Sequence, residues 1–257
     1  MLELKNIKKH YHPGTVNEVR LFEDFNLAIP DHQFVSVVGS NGSGKTSMLN
    51  LICGSIAADG GQILVNGEDI SRKKDFERQR AIGRVFQDPS KGTCPSMTIL
   101  ENMSIADHKG KGYGLGKGKN KNKSGQYQEL LRSLNLGLED KLEVKAGSLS
   151  GGQRQALALL MATMAPIEFL ILDEHTAALD PKTAETVMEL TGKIVEQKQV
   201  TTIMVTHNLR YAVEYGDRLL MMHQGAAVLD CAGEEKAKLK VEGILQIFNE
   251  ISIECGN

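Results

Sequence analysis

The 257-residue chain is 41% apolar and 24% charged, with a formal net charge of -2. That make-up belongs to a globular protein large enough for one sizeable domain or a domain with a subdomain. A balance so near neutrality carries no electrostatic footprint for nucleic acid. Cys53, Cys94, Cys231 and Cys255 lack the spacing of a zinc site or a disulfide framework, as expected in a reducing compartment. The segment Met1-Leu2-Glu3-Leu4-Lys5 puts charge where a signal peptide needs an apolar core. No run reaches the roughly 20 apolar residues that span a bilayer, so the expectation is a cytoplasmic chain that meets membranes through a partner.

In chain order, Phe25, Leu27 and Ile29 alternate with polar residues, which predicts a strand with one wet face. Phe34-Val35-Ser36-Val37-Val38 is more evenly apolar and predicts a strand covered on both sides. A helical pattern through Met48, Leu49 and Ile52 follows. Residues 89–147 read as interrupted helix. Within them, residues 109–125 are rich in lysine and glycine and contain no acid. Such a run buries too little apolar surface to order itself, so a solvated loop is expected. Contact with anionic lipid or an acidic partner surface is the alternative, and nucleic acid is a weaker one, because no regular aromatic stacking residues accompany the charge.

Two further buried strands are predicted at Phe169-Leu170-Ile171-Leu172 and Thr202-Ile203-Met204-Val205. Between them, Asp180-Pro181 reads as an N-cap with proline at the first helical position. Val187, Met188, Thr191, Ile194 and Val195 then mark the buried face of that helix. Residues 219–231 read as a hairpin turning near Gln224-Gly225. Val241, Ile244, Leu245, Phe248 and Ile251 form a helical stripe expected to dock on the core. Strands alternating with helices imply a mostly parallel α/β sheet.

Gly39-Ser40-Asn41-Gly42-Ser43-Gly44-Lys45-Thr46, with Ser47 after it, fits G-x-x-x-x-G-K-[ST] between a buried strand and a helix. Its glycines let backbone N–H groups turn toward phosphate oxygens, and the helix start adds positive potential. Lys45 suits the β- and γ-phosphates and the Thr46 hydroxyl suits Mg²⁺. Asp173 ends an apolar strand, where a carboxylate serves the metal or its water shell, and Glu174 is placed as a general base. A helix-capping acidic pair is the rival reading of those two. His207, after the third buried strand, is either structural or a γ-phosphate contact.

Residues 39–46, Gln87, Leu149-Ser150-Gly151-Gly152-Gln153, 172–174, Ala178-Leu179-Asp180 and His207 stand in an order and spacing that resembles the ATPase subunits of ABC transporters. The resemblance covers residues 11–223. It implies a P-loop NTPase core, with a mostly parallel sheet covered by helices on both faces, an N-terminal antiparallel β-subdomain and an inserted α-helical subdomain. The expected division within one ATPase domain, 1–257, is a core at 1–88 and 155–230. A helical subdomain bearing the signature spans 89–154, and a helical tail spans 231–257.

The resemblance also implies site roles. Tyr11 would stack on adenine, and Gln87 would sense Mg²⁺ and water at the joint between core and subdomain. Thr46, Gln87 and Asp173 would serve the metal. Glu174 and His207 would act at the γ-phosphate. Leu149, Ser150, Gly151, Gly152, Gln153 and Asp180 would reach the ATP held by the other subunit of a homodimer. The implied partners are a multispanning permease and a substrate-binding lipoprotein, with the chain peripheral on the inner face of the cell membrane and no nucleic acid partner. The run DEHTAALDPKTA resembles uptake systems of the tryptophan/tyrosine type, although His175 stands where the family usually has proline. A soluble ABC ATPase acting in assembly, as for iron–sulfur clusters, is the rival.

Overall fold

The computed structural model describes residues 1–111 and 118–254. In chain order it runs β1 (Leu2–Tyr11), β2 (Val19–Ile29), β3 (Phe34–Gly39), α1 (Lys45–Cys53), β4 (Gly60–Val65), β5 (Glu68–Asp69), α2 (Asp75–Arg78) and β6 (Ile82–Val85). Then follow α3 (Ile99–Asp107), α4 (Ser124–Arg132), α5 (Gly151–Ala162), β7 (Phe169–Asp173) and α6 (Pro181–Lys198). The chain continues through β8 (Thr201–Val205), α7 (Leu209–Glu214), β9 (Arg218–His223), β10 (Ala226–Ala232), α8 (Gly233–Lys238) and α9 (Val241–Glu254). It falls into two compact units, one of Met1–Asp75 with Thr201–Asn257 and the other of Phe76–Val200. The division by motifs, with boundaries at 88/89 and 154/155, follows the signature and phosphate loop, whereas these units follow compactness.

The first unit holds two sets of strands. β2, β1, β4 and β5 make an antiparallel sheet. In β1 the buried residues switch from Leu2 and Leu4 to Ile7. The switch of face coincides with a register shift between Leu4 and Ile7 and with Asn6 at φ 51°, as a bulge requires. β3 pairs in parallel with both β8 and β9, and β9 with β10 in antiparallel fashion. Every residue of β3 is buried, which explains its unbroken apolar run.

The β9–β10 turn has Gln224 at φ 45° and Gly225 at φ 78°, two successive left-handed residues that match the twist of a tight hairpin. Ile244 of α9 is fully buried with Val38, Ala212, Leu219, Met221 and Cys231, and Ile247, Phe248 and Ile251 pack beside it. Leu245 is instead 47% exposed. The 3.6-residue period carries the docked face through 244, 247, 248 and 251 and turns Leu245 outward.

The second unit is mainly helical around the parallel pair β6 and β7. Thr98 and Glu101 form a reciprocal capping box on α3, and Asp180 caps α6 by accepting from the Thr183 N–H at 3.1 Å. The predicted face of α6, Val187, Met188, Thr191, Ile194 and Val195, is buried.

Residues 109–111 and 118–125 are more ordered than the solvated loop expected for the run. Residues 112–117 lie outside the described residues, but Lys121–Lys123 forms a 3-10 turn leading into α4. Lys111 and Lys123 pair with Asp107, and Lys119 pairs with Glu143. The buried Tyr127 donates its hydroxyl to Asp107 at 3.1 Å. Burial, and then the Asp107 charge, push that phenol up to about 12. The acids that order these lysines come from outside the run, so its own composition does not show them. Among the described residues, no helix is long and apolar enough to cross a membrane, and Cys53, Cys94 and Cys231 are free thiols.

Candidate functional site

In the first unit the phosphate-type loop leaves β3 at Gly39 and enters α1 at Lys45. Gly44, the N-cap of α1, has φ 104°, and a Cβ there would lie 2.9 Å from the Phe22 ring. Glycine is required on both counts. Lys45 is 5% exposed and its Nζ donates to the carbonyls of Gly39 at 2.7 Å and Ser40 at 2.9 Å. The ammonium therefore closes the loop around itself. From outside, the Gly225 N–H donates to the Ser43 carbonyl at 3.0 Å.

Tyr11 and Ser47, both singled out in the sequence, are brought together at 3.0 Å between hydroxyls. Lys9 Nζ lies 5.5 Å from the Tyr11 ring centroid. Thr46 is an exposed residue in the first turn of α1. His207 follows β8 in an exposed position, after the buried Thr206 and before the exposed Asn208. Asn208 caps α7 by accepting from the N–H groups of Arg210 and Tyr211.

In the second unit Asp173 ends β7 and its carboxylate accepts from Arg84 Nη2 of β6 at 2.7 Å. Glu174 follows at φ 51°, a left-handed conformation that costs a non-glycine residue energy and concentrates at functional sites. Its carbonyl accepts from the Ala177 N–H at 3.0 Å, closing the turn. His175 is 2% exposed with Nε2 3.1 Å from Thr191 Oγ1. The Thr191 hydroxyl proton is spent on the Val187 carbonyl at 2.8 Å, so the imidazole is the donor and carries its proton on Nε2. Burial pushes His175 down to about 4, keeping the ring neutral.

Gln87 is exposed just beyond β6. The preceding carbonyl, of Phe86, accepts from the buried Gln155 amide at 3.0 Å. At α5, Ser150 is the N-cap. Its Oγ accepts from the Gln153 N–H at 3.2 Å while its own N–H donates to Gln153 Oε1 at 3.3 Å. Leu149 is buried, whereas Ser150 and Gly151 are exposed at the helix start. The signature thus presents a hydroxyl and helix N–H groups outward, an arrangement suited to an anion.

Asp180 stands at the start of α6, its carboxyl held below the usual range by the hydrogen bonds of Thr183. Arg154 braces the approach to the signature, donating to the carbonyls of Ala146 at 3.2 Å and Gly147 at 2.9 Å. Arg84, Arg154 and Gln155 were not among the sequence-predicted site residues. Only the last two, inside the run LSGGQRQ, carried a signal there.

A glycine-rich loop between a buried strand and a helix, an acid at a strand end and a serine-capped glycine helix start define a P-loop NTPase. The family model for ABC transporters matches residues 22–177. The chain is 48% identical over 249 residues to a tyrosine transport ATP-binding protein of Clostridioides difficile strain R20291, covering 96% of this chain and 98% of that one. It is 32% identical over 241 residues to a phosphonates import ATP-binding protein of Lactococcus lactis subsp. cremoris strain SK11, covering 93% and 96%. A dimeric ATP-binding cassette solved in a post-hydrolysis state with ADP and Pi is similar with a TM-score of 0.74 at 30% identity, over 90% of this chain and 98% of that one. The chain belongs to the ABC transporter family as an ATP-binding subunit, and it is an ATPase.

Proposed function

We propose that this subunit hydrolyses ATP in a nucleotide-sandwich dimer and powers a separate membrane permease that imports an amino acid or similar small solute. Supporting this reading is the outward-facing Ser150 cap of α5, in a chain so similar along its length to a tyrosine transport ATP-binding protein. One subunit supplies the phosphate loop and Lys45 for its own nucleotide, and Tyr11 for the base. Its 149–153 segment and Asp180 serve the neighbour's nucleotide.

Glu174 polarises the attacking water, and His207 and the neighbour's Ser150 steady the γ-phosphoryl group as charge develops on it. The Thr46 hydroxyl, the Gln87 amide oxygen and the Asp173 carboxylate would hold Mg²⁺ or its water shell, being the hard oxygen donors that ion prefers. When bound, Mg²⁺ neutralises charge on the β- and γ-phosphates.

A cleft of about 350 Å³ in the second unit, lined in part by Ile82, Phe86, Ile105, Ala106 and Met161, is our proposed seat for the permease. A substrate-binding lipoprotein completes the system outside the cell, with this subunit on the inner face of the membrane. Reconstitution with the permease and a panel of amino acids tests the reading. Stimulated turnover dependent on one amino acid supports it, and turnover indifferent to the permease overturns it in favour of the soluble assembly ATPase. Within the isolated protein, Glu174→Gln should accumulate an ATP-bound dimer by size exclusion. A monomer with wild-type turnover would remove Glu174 from the mechanism.

A further inference from the structure

The carboxylate of Asp173 is held by a side chain that the family motifs do not include. In the β6–β7 ladder Arg84 pairs with Ile171 and Val85 with Leu172. The two-residue period of a strand therefore puts Arg84 and Phe86 on the face shared by Ile171 and Asp173. Arg84 Nη2 reaches Asp173 Oδ2 at 2.7 Å, with the two side chains only 9% and 16% exposed. The guanidinium carbon lies 4.8 Å from the Phe86 ring centroid, a stacking contact that limits where the fork can point. Both residues line the cleft in this unit.

A partly buried, charge-assisted pair of this kind fixes a carboxylate's orientation. It also places a full positive charge beside an oxygen whose other use is to attract a divalent cation. The two cations oppose each other across one carboxylate, and in a water-poor setting that opposition is poorly screened.

We propose that Arg84 is a positioning residue that orients the Asp173 carboxylate and tempers its hold on the divalent metal. The inference rests on the reading of Asp173 as a metal-serving residue. Arg84 leaves one carboxylate oxygen for the metal's water shell and prevents the ion from being held too tightly. Losing the charge strengthens metal attraction, and losing the fork loosens the carboxylate.

The test uses the full-length protein with Mn²⁺ as the probe. Free Mn²⁺ is measured by electron paramagnetic resonance in the presence of ATP on a Glu174→Gln background, and turnover is measured separately with Glu174 intact. Arg84→Met is expected to bind Mn²⁺·ATP roughly tenfold more tightly while kcat falls roughly tenfold and KM for ATP does not rise. Arg84→Lys keeps the charge without the fork, so its Mn²⁺ affinity should match wild type while kcat drops by an intermediate amount.

Unchanged Mn²⁺ affinity in Arg84→Met, with thermal melting showing a folded protein, overturns the proposal. So does equal loss of kcat in the Met and Lys variants in step with their stability. If Arg84→Met does not fold, Arg84→Gln takes its place in the same titration. Asp173→Asn separates the two layers. If it leaves Mn²⁺ affinity at the wild-type value, the underlying reading of Asp173 fails. If it weakens binding while the Arg84 variants do not move it, only the role of Arg84 fails.

Discussion

Gly152→Ala adds a single methyl group where α5 starts beside α6. The new Cβ would lie 2.1 Å from Thr183 Cγ2, whereas carbon atoms pack at about 3.5–4.0 Å. Relief requires Thr183 to change rotamer or α5 to shift. Thr183 is in the first turn of α6, its N–H held by Asp180, so the backbone there does not yield readily. Overpacking on this scale costs about 1–3 kcal/mol, or a fall in Tm of about 2–12 °C for a chain of this size. Gly151→Ala is the control, because its Cβ meets only Leu179 Cδ2, at 3.3 Å.

Thermal and urea unfolding followed by circular dichroism read the effect. Adding Thr183→Ser deletes the clashing methyl and should bring the double variant to within about 0.5 kcal/mol of Thr183→Ser alone. A Gly152→Ala protein that melts with wild type refutes the steric argument. So does a double variant no more stable than Gly152→Ala.

Other perturbations follow from the same geometry. The buried neutral His175 titrates near 4 in the fold and near 6.5 when unfolded. Its stabilisation is fully present above about pH 6.5 and is lost as pH falls toward 4, because only the unfolded chain takes up the proton. Between pH 7.5 and 5.5 wild type should therefore lose about 1.4 kcal/mol more than His175→Pro; equal losses in urea titrations would remove the burial argument. Lys45→Ala removes the ammonium that bonds Gly39 and Ser40 and should weaken ATP binding by about 10–100-fold in calorimetry, whereas an unaltered Kd would take Lys45 out of the phosphate contact. Gly225→Val sets a Cβ 1.6 Å from the Leu21 carbonyl oxygen at φ 78° and should cost more than about 3 kcal/mol; wild-type unfolding would show that the turn relaxes freely.

Features that depend on local order along the chain were legible in the sequence. The buried run 34–38, the Asp180-Pro181 cap and the Gln224-Gly225 turn each declare themselves within a few residues, and the structure places each as expected. What escaped depends on register between distant segments. Arg84 lies in a four-residue strand with no alternating pattern, and its meaning appears only when β7 is laid beside it. Lys119 and Lys123 read as a like-charge run because Glu143 and Asp107 lie outside that run. His175 was visible as a departure from the family pattern. Its neutral, donating state was not, because that follows from burial and from how Thr191 spends its one hydroxyl proton.

The brace from Gly225 to the Ser43 carbonyl has a bearing on synthesis. The loop residues leave the ribosome early, but the hairpin that shapes them follows roughly 180 residues later, a lag of about 9–36 s at ordinary elongation rates. Until then the Ser43 carbonyl lacks the partner it has in the finished fold. The finished cradle is thus a late product of translation, completed by the β9–β10 hairpin and not by the loop's own residues. Nucleotide added to stalled nascent chains should bind only those arrested far enough beyond Ala232 for the whole β9–β10 hairpin to have left the ribosome.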